Sequence, residues 1–558
     1  MVSIIVRGAG PQCTSQVLNQ VTALGGRVML RIGLLDGGSA LLPAQALPAL
    51  ASSSCVLEVT PDATMAPQSI GSYDPTTDVG SLYNTEVMIG AQTAWTKGYT
   101  GSGVGVALID TGVAPVAGLT TSGKLINGAD LSFDSQVSSL TRSDEYGHGT
   151  HMAGIIAGRD AAAVSGHYAG DTSDFIGVAP DARLLNVKVG DEQGVADVSQ
   201  VIAAIDWVVQ HRNDNSMNIR VLNLSYGTVS GQAYALDPIA YATEVAWRNG
   251  IVVVAAGGNN GGSSTVGLSD PAYDPYVLAV GADDTNGTVA TSDDVCASFS
   301  SVGNGTRNPD VVAPGAHIAS LRDPGSNVDL QFGSTATVGA RFFRGSGTSQ
   351  ATAVVSGAAA IYLSDHKTAT PDQVKGALVS TAAKLTGQNA TCQGAGLINV
   401  NNALAVVPTT TQKFTSSTGT GTLENARGGL HIVSQRNGVA LAGEQDVMGK
   451  TWSSSAMATN ESKLAAWNGG TFNGAGWSGS GWSGAGWSGA GWSGSGWSGA
   501  AWSGAGWSGS TWTGAGWSGA GWSSADWSGT GWHGAGWSGA GWSNGAWVGN
   551  GWSDYIWK

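Results

Sequence analysis

Charge is scarce in this chain. Only 11% of its 558 residues are Asp, Glu, Lys or Arg, and 39 acidic against 25 basic side chains leave a formal net charge of −14. Binding a polyanion requires clustered Lys and Arg, so a nucleic-acid partner is not expected. Cysteine is almost absent. Cys13, Cys55, Cys296 and Cys392 show no CxxC or His-rich spacing, which argues against a zinc site. Two of them lie near the start and two in the central region, so one bridge within each pair is allowed, the alternative being four small buried thiols. No apolar run reaches the ~18 residues of a membrane-spanning helix. The opening Met1-Val-Ser-Ile-Ile-Val-Arg7 also lacks the basic segment and long apolar stretch of a secretory signal.

Glycine, in contrast, is abundant: 86 residues, about twice average usage. The length exceeds what one core organises, so two or more domains are expected. Residues 1–66 follow a β-α-β-β-α-β order, with a short β-type run at Ile4–Val6, helical spacing at Val17, Leu18, Val21 and Leu24, and a last strand at Cys55–Val59. Residues 67–92, loose and polar in their first part, are expected to be linker. Between 93 and 406, the runs Val104–Ile109, Leu184–Val189, Val221–Leu224, Ile251–Ala255 and Val277–Val280 are short and continuously apolar, as strands buried on both faces are. Helical patterns at His148–Ala157, Val198–Val209 and Ile239–Trp247 separate them. This alternation predicts an α/β domain, a parallel sheet covered by helices on both faces, with sites outside the carboxyl ends of its strands. A linker is expected over 407–451 and a repetitive tail over 452–558.

Four motifs in the α/β region hold reactive groups. Ala107-Leu-Ile-Asp-Thr-Gly112 ends an apolar run in Asp110, and Gly147-His-Gly-Thr-His-Met-Ala-Gly154 opens a helix with His148 between glycines. Val252-Val-Val-Ala-Ala-Gly-Gly-Asn-Asn260 ends another apolar run at Asn259. Arg344-Gly-Ser-Gly-Thr-Ser-Gln-Ala-Thr-Ala353 presents Ser349 just before a small-residue helix pattern. A serine hydroxyl is a weak nucleophile unless a base such as His148 takes its proton. The second imidazole nitrogen needs an acceptor, which Asp110 supplies, fixing the tautomer and stabilising the imidazolium. The Asn259 amide and the Ser349 backbone N–H can donate to an oxyanion as it develops.

In the order Asp110, His148, Asn259, Ser349, these motifs resemble those of the subtilisin-like serine peptidases, the subtilase family. The resemblance implies an endopeptidase acting on polypeptide substrates, with Asp110, His148 and Ser349 catalytic, Asn259 as oxyanion donor and no cofactor required. It also implies that Asn223-Leu-Ser-Tyr-Gly227 pairs with the substrate main chain, Ser225 and Gly227 flanking it and Tyr226 near its side chains. Asp270-Pro-Ala272 corresponds to a loop near the specificity pocket. Residues 1–66, ending Val-Leu-Glu-Val-Thr-Pro-Asp62, resemble the inhibitory propeptide of the family, which makes the pro-domain an intramolecular inhibitor cut away by Ser349. Family members are generally exported, so a secreted or extracellular-surface location is expected, with the signal outside the given residues.

There are departures from the family pattern. Ala353 replaces a proline frequent at that position, and the 159–174 loop lacks the short Asn-rich calcium loop of familiar members. Asp171 and Asp174 are read as solvated, with a structural calcium as the alternative. His151 is read as structural.

From Trp467 to Trp557 an aromatic residue recurs at every fifth position, eighteen tryptophans with Phe472 in the one gap. A period of five suits neither a helix nor a flat strand. A ladder of indoles predicts a polysaccharide or cell-surface anchor, self-association, or a spacer. The rival function for the whole chain is a non-catalytic surface or glycan-binding protein on the same fold. An esterase is disfavoured because Gly347-Thr-Ser-Gln-Ala351 lacks the final glycine of a nucleophile elbow.

Overall fold

The structure is a computed structural model that describes residues 2–61, 73–136, 140–262, 266–409, 411–433, 439–468 and 470–477, with two further strand pieces at Trp492–Ser493 and Trp507–Ser508. It divides into two compact units, Met1–Gly71 and Ser72–Lys558.

In the first unit, strand β1 (Val2–Gly8) is followed by helix α1 (Thr14–Ala23), β2 (Arg27–Ile32), β3 (Gly37–Leu42), α2 (Leu47–Ala51) and β4 (Val56–Pro61). The sheet order is β2-β3-β1-β4, with every neighbouring pair antiparallel. Val17 and Val21 of α1 pack on Ile4, Val6, Ala40 and Leu42 of the sheet, the i, i+4 face of a helix meeting the alternate residues of the strands. A Cys13–Cys55 disulfide ties the start of α1 to the start of β4.

The second unit opens with α3 (Leu82–Met88) and α4 (Ala91–Thr96). Helix α3 and the first two residues of α4 fall in the stretch expected to be linker. Ser81 caps α3 by accepting from the Asn84 amide, and Leu82, Ile89 and Trp95 are buried in the main core, which turns the segment into folded structure. The central elements are β5 (Gly105–Asp110), β6 (Leu125–Asp130), α5 (His148–Ala157), β7 (Arg183–Lys188), α6 (Val198–His211), β8 (Ile219–Leu224), α7 (Pro238–Arg248), β9 (Val252–Ala256) and β10 (Leu278–Asp284). After these come β11 (Val295–Cys296), β12 (Val311–Pro314), β13 (Ile318–Leu321), α8 (Asn327–Ala336), β14 (Thr337–Val338), β15 (Phe342–Gly345), α9 (Thr348–Asp365) and α10 (Pro371–Ser380).

The main sheet runs β11-β10-β9-β8-β5-β7-β6, with β12 also on β10. All of its pairs are parallel except the β10–β11 edge. Every residue of β5 is buried, and α9 is buried from Thr348 to Leu363. Helix α9 packs on β8, β9, β10 and β12 and against α5, while α6 and α7 pack against β5 and β9 and on each other. A fully apolar strand needs cover on both faces, and these helices supply it. Capping boxes start α6 (Asp197 with Gln200) and α10 (Thr370 with Gln373). A Cys296–Cys392 disulfide fastens the β11 edge.

The described residues of the 407–451 stretch, expected to be linker, are folded onto the domain. Helix α11 (Ala390–Gln393) and helix α12 (Val400–Ala403) lead to α13 (Leu423–Arg427), where the fully buried Arg427 pairs through Nε with Asp197 Oδ2 at 2.7 Å. Helix α14 (Ser454–Ser462) and the first aromatic positions of the five-residue repeat follow. Trp467, Phe472 and Trp477 are buried in the main core, and Trp467 Nε1 donates to the Ala203 carbonyl of α6 at 2.8 Å. Phe472 packs against Trp452, Trp467 and Trp477, with ring centroids 5.3 to 6.2 Å apart, and Trp467 ties this ring cluster to α6. Beyond it, Trp492 pairs in parallel register with Trp507, three repeat units later. The rest of the expected tail lies outside the described residues, as do residues 62–72, where the expected cut region begins.

Candidate active site

Asp110 is the last residue of β5, at the carboxyl edge of the sheet, and His148 is the first of α5. His148 Nδ1 lies 2.7 Å from Asp110 Oδ1, and each residue is 1% exposed. The same oxygen accepts from the Thr111 amide at 2.8 Å, so the carboxylate is aimed by its own backbone. Close approach of α5 to the β5 turn requires glycine. A Cβ on Gly149 would stand 2.1 Å from the Gly112 carbonyl oxygen, and Gly147, with φ 103°, holds a left-handed cap that other residues adopt with strain.

Two residues that sequence reasoning passed over hold this turn. Asp144 Oδ1 accepts from Thr111 Oγ1 and from the Gly147 amide, and its Oδ2 accepts from the Thr150 amide, all at 2.7 Å. Thr111 Oγ1 in turn accepts from the Gly149 amide at 2.9 Å. Burial pushes the Asp144 carboxyl up, and these donors pull it back. The only signal in the sequence was an acid just before the Gly-His-Gly.

Ser349 lies in the first turn of α9, 1% exposed, where backbone N–H groups have no partner inside the helix. Asn259 follows β9 on a loop with Gly258 at φ 106°. Its Oδ1 accepts from the Thr348 amide at 2.9 Å and from Thr348 Oγ1 at 3.0 Å, which directs its NH₂ group away from Thr348. Gly347 lies close to both the Asn259 amide group and the Ser349 backbone nitrogen. The point a Cβ would occupy there is 3.5 Å from Asn259 Nδ2 and 3.6 Å from the Ser349 amide nitrogen. Thr348 is therefore the clasp of the donor pair, a role not anticipated from the sequence.

Of the expected substrate strand, Ser225 and Gly227 continue the carboxyl end of β8, and Thr228 pairs with Asp270 through both backbone groups. Ser225 Oγ accepts from Asn223 Nδ2 at 3.1 Å. Tyr226 stands between Ser225 and Gly227. It is 6% exposed, and its hydroxyl donates to the Gly194 carbonyl at 3.1 Å, so the ring braces the 190–194 loop from within. His151 Nε2 lies 3.0 Å from the Phe343 carbonyl, and burial pushes its imidazole down to about 3, which keeps it neutral. Asp171 Oδ1 accepts from the amides of Ser173 and Asp174, the pattern of a self-capped turn. No group of three or more His, Cys, Asp or Glu suited to a metal occurs among the described residues.

A parallel α/β sheet with an Asp–His pair at one strand end, and a serine and amide donors at the neighbouring helix start, defines the class of hydrolase with an activated serine. A profile of the subtilase family matches residues 101–425, and the chain belongs to that family. It is similar to serine protease AprX of Bacillus subtilis (36% identity over 315 residues, 55% of this chain and 67% of the relative). It is likewise similar to subtilisin DY of Bacillus licheniformis (36% over 319 residues, 57% and 96%) and to subtilisin E of Bacillus subtilis (37% over 313 residues, 55% and 67%). The protein is a subtilisin-like serine endopeptidase.

Proposed function

We propose that Ser349 is the nucleophile, His148 the general base and then acid, Asp110 its orienting carboxylate, and Asn259 with the Ser349 amide the oxyanion donors. The observation that carries this is the 2.7 Å contact between Asp110 and His148 at the head of α5, which packs against the helix begun by Ser349. His148 Nε2 takes the Ser349 hydroxyl proton as Oγ bonds to the substrate carbonyl carbon. The oxyanion forms between the two donors. Collapse breaks the C–N bond, His148 gives the proton to the departing amine, and water attacks the acyl-enzyme by the same route. The strand end at Ser225–Gly227 receives the substrate backbone by β-pairing, with Asp270 beside it.

The Met1–Gly71 unit acts as intramolecular inhibitor until Ser349 cuts after it. Its element order supports this, and so do Met29, Leu30 and Leu57, which stay more than half exposed on that unit and suit a docking face. A secreted location follows from the family, and the indole row from Trp482 onward serves glycan, cell-surface or self-contact.

Intact mass of the full chain beside Ser349→Ala, followed at neutral pH with casein, tests the reading. The expected result is loss of a fragment of about 65 to 85 residues, within the segment that reads as loose and polar in the sequence, together with casein digestion, in the wild type only. A wild type that stays whole and leaves casein intact, even after trace cleavage by an outside protease, would overturn it in favour of a surface-binding protein.

A further inference from the structure

One cavity outside the catalytic end combines features that peptide hydrolysis does not use. It encloses about 180 Å³ between α3, the 171–176 loop and strands β13 and β15. Rings form much of its wall: Phe342 lies 5.4 Å from Phe175, stacked on it, and 5.2 Å from Tyr73, centroid to centroid, and the Arg341 guanidinium stands over the Phe342 ring at 5.3 Å. Glu86 of α3 lines the same space. Its side chain is 2% exposed, and Oε1 has no hydrogen-bond partner. Burial alone pushes this carboxyl well above the usual carboxylate range, because no donor or cation offsets the lost water.

Other charges face the cavity. Arg341 lines it, but both Asp160 oxygens hold that guanidinium. Asp171 and Asp174 also line it, and the Asp174 carboxyl is raised by burial and then by Asp171. The Tyr73 hydroxyl donates to Asp78 and stays protonated. The balance is acidic, the walls are aromatic, and the buried polar group has no donor facing it.

We propose that this cavity binds a primary ammonium on a short alkyl arm. An ammonium is a compact cation with three N–H donors, which matches a single carboxylate. The alkyl arm covers Leu82 and the rings. As the ammonium enters, Glu86 loses its proton to solvent, so the bound pair is neutral and one proton is released per ligand. The affinity accordingly rises with pH as long as free Glu86 is protonated, by up to about tenfold per pH unit.

The probe is n-butylammonium chloride, titrated calorimetrically into full-length Ser349→Ala protein in two buffers of different protonation enthalpy, with n-butanol and sodium chloride as controls. Saturable one-site binding is expected, with about one proton released per ligand and a raised Tm. Glu86→Gln should weaken it at least about tenfold and abolish proton release. Phe342→Leu should weaken it while keeping the proton release, and stands in if the Glu86 variant fails to fold. No saturable binding, binding without proton release, equal binding of n-butanol, or an undiminished Glu86→Gln variant would each overturn the proposal.

Discussion

Asp110 and Asp206 are buried to nearly the same degree, 1% and 2% exposed, yet their surroundings are opposite. Asp110 Oδ1 meets the Thr111 amide and His148 Nδ1, both within 2.8 Å. Asp206, midway along α6, faces another acid. Burial and then the charge of Glu461 push it well above the usual range, and burial pushes Glu461 itself up to about 8, with Arg248 pulling the other way. Asp206 Oδ2 and Glu461 Oε2 have no hydrogen-bond partner, and neither does Asp110 Oδ2, so the difference lies in the two donors that reach Asp110 Oδ1. Nine residues before Asp206, Asp197 shows a third solution: it caps α6 and pairs with the buried Arg427. Burial alone does not decide what a carboxylate does; the donors delivered to it do. At the head of α5 those donors come from a short turn that also aims a histidine. Along α6 the partners come from residues beyond 406, and they act on attachment of that segment instead of chemistry.

Breaking each partnership separates the two regions. Asp110→Asn should leave the Tm close to that of the parent and reduce kcat by about 10⁴, because an amide at this position favours the wrong imidazole tautomer. Hydrolysis of a chromogenic peptide beside a thermal scan checks this, and a loss below about tenfold would remove Asp110 from the mechanism. Arg427→Met should do the reverse. It leaves Asp197 buried without its cation, at about 3–5 kcal/mol of stability, while kcat per folded molecule stays unchanged. Urea denaturation in a Ser349→Ala background measures the stability change. Adding Asp197→Asn, which keeps the helix cap, should recover most of it, since replacing both members of a buried pair is far milder than removing one.

The two regions also differed in how well they could be read from sequence. Asp110, His148, Asn259 and Ser349 are visible because each stands where an apolar run or a helix pattern meets glycine, and glycine there answers a local steric need such as Gly149 against Gly112. Thr348, Thr111 and Asp144 are not visible in the same way, because they work through contacts with elements distant along the chain. The 407–477 stretch was hidden more completely. Pro408-Thr-Thr-Thr and Thr415–Thr422 look like linker, and the anchors Leu423, Trp452, Trp467, Phe472 and Trp477 are spaced without helix or strand period. Their burial depends on gaps beside α6 and α7 that no local pattern announces. The inward turn of the Tyr226 hydroxyl to Gly194 is hidden for a similar reason, since nothing local announces it.

The smallest expected effect is the most discriminating, because its sign depends on pH. Glu461 titrates near 8 when folded and near ~4.3 when unfolded, so between these values the folded chain binds more protons than the unfolded one. Stability then falls as pH rises across that window, the loss being complete only above the folded value. Glu461→Gln keeps the shape and the neutral state but cannot ionise. In a Ser349→Ala background, its stability should match the parent within about 0.5 kcal/mol at pH 4. It should exceed the parent by about 1–2 kcal/mol at pH 8, less than the full shift implies because water and relaxation relieve a buried charge. Parallel pH profiles for the two proteins would show that Glu461 does not titrate within the fold, and would remove the contrast with Asp110. A profile that diverges only at alkaline pH would instead make the acid pair the point at which the segment bearing Trp467, Phe472 and Trp477 first loosens from α6.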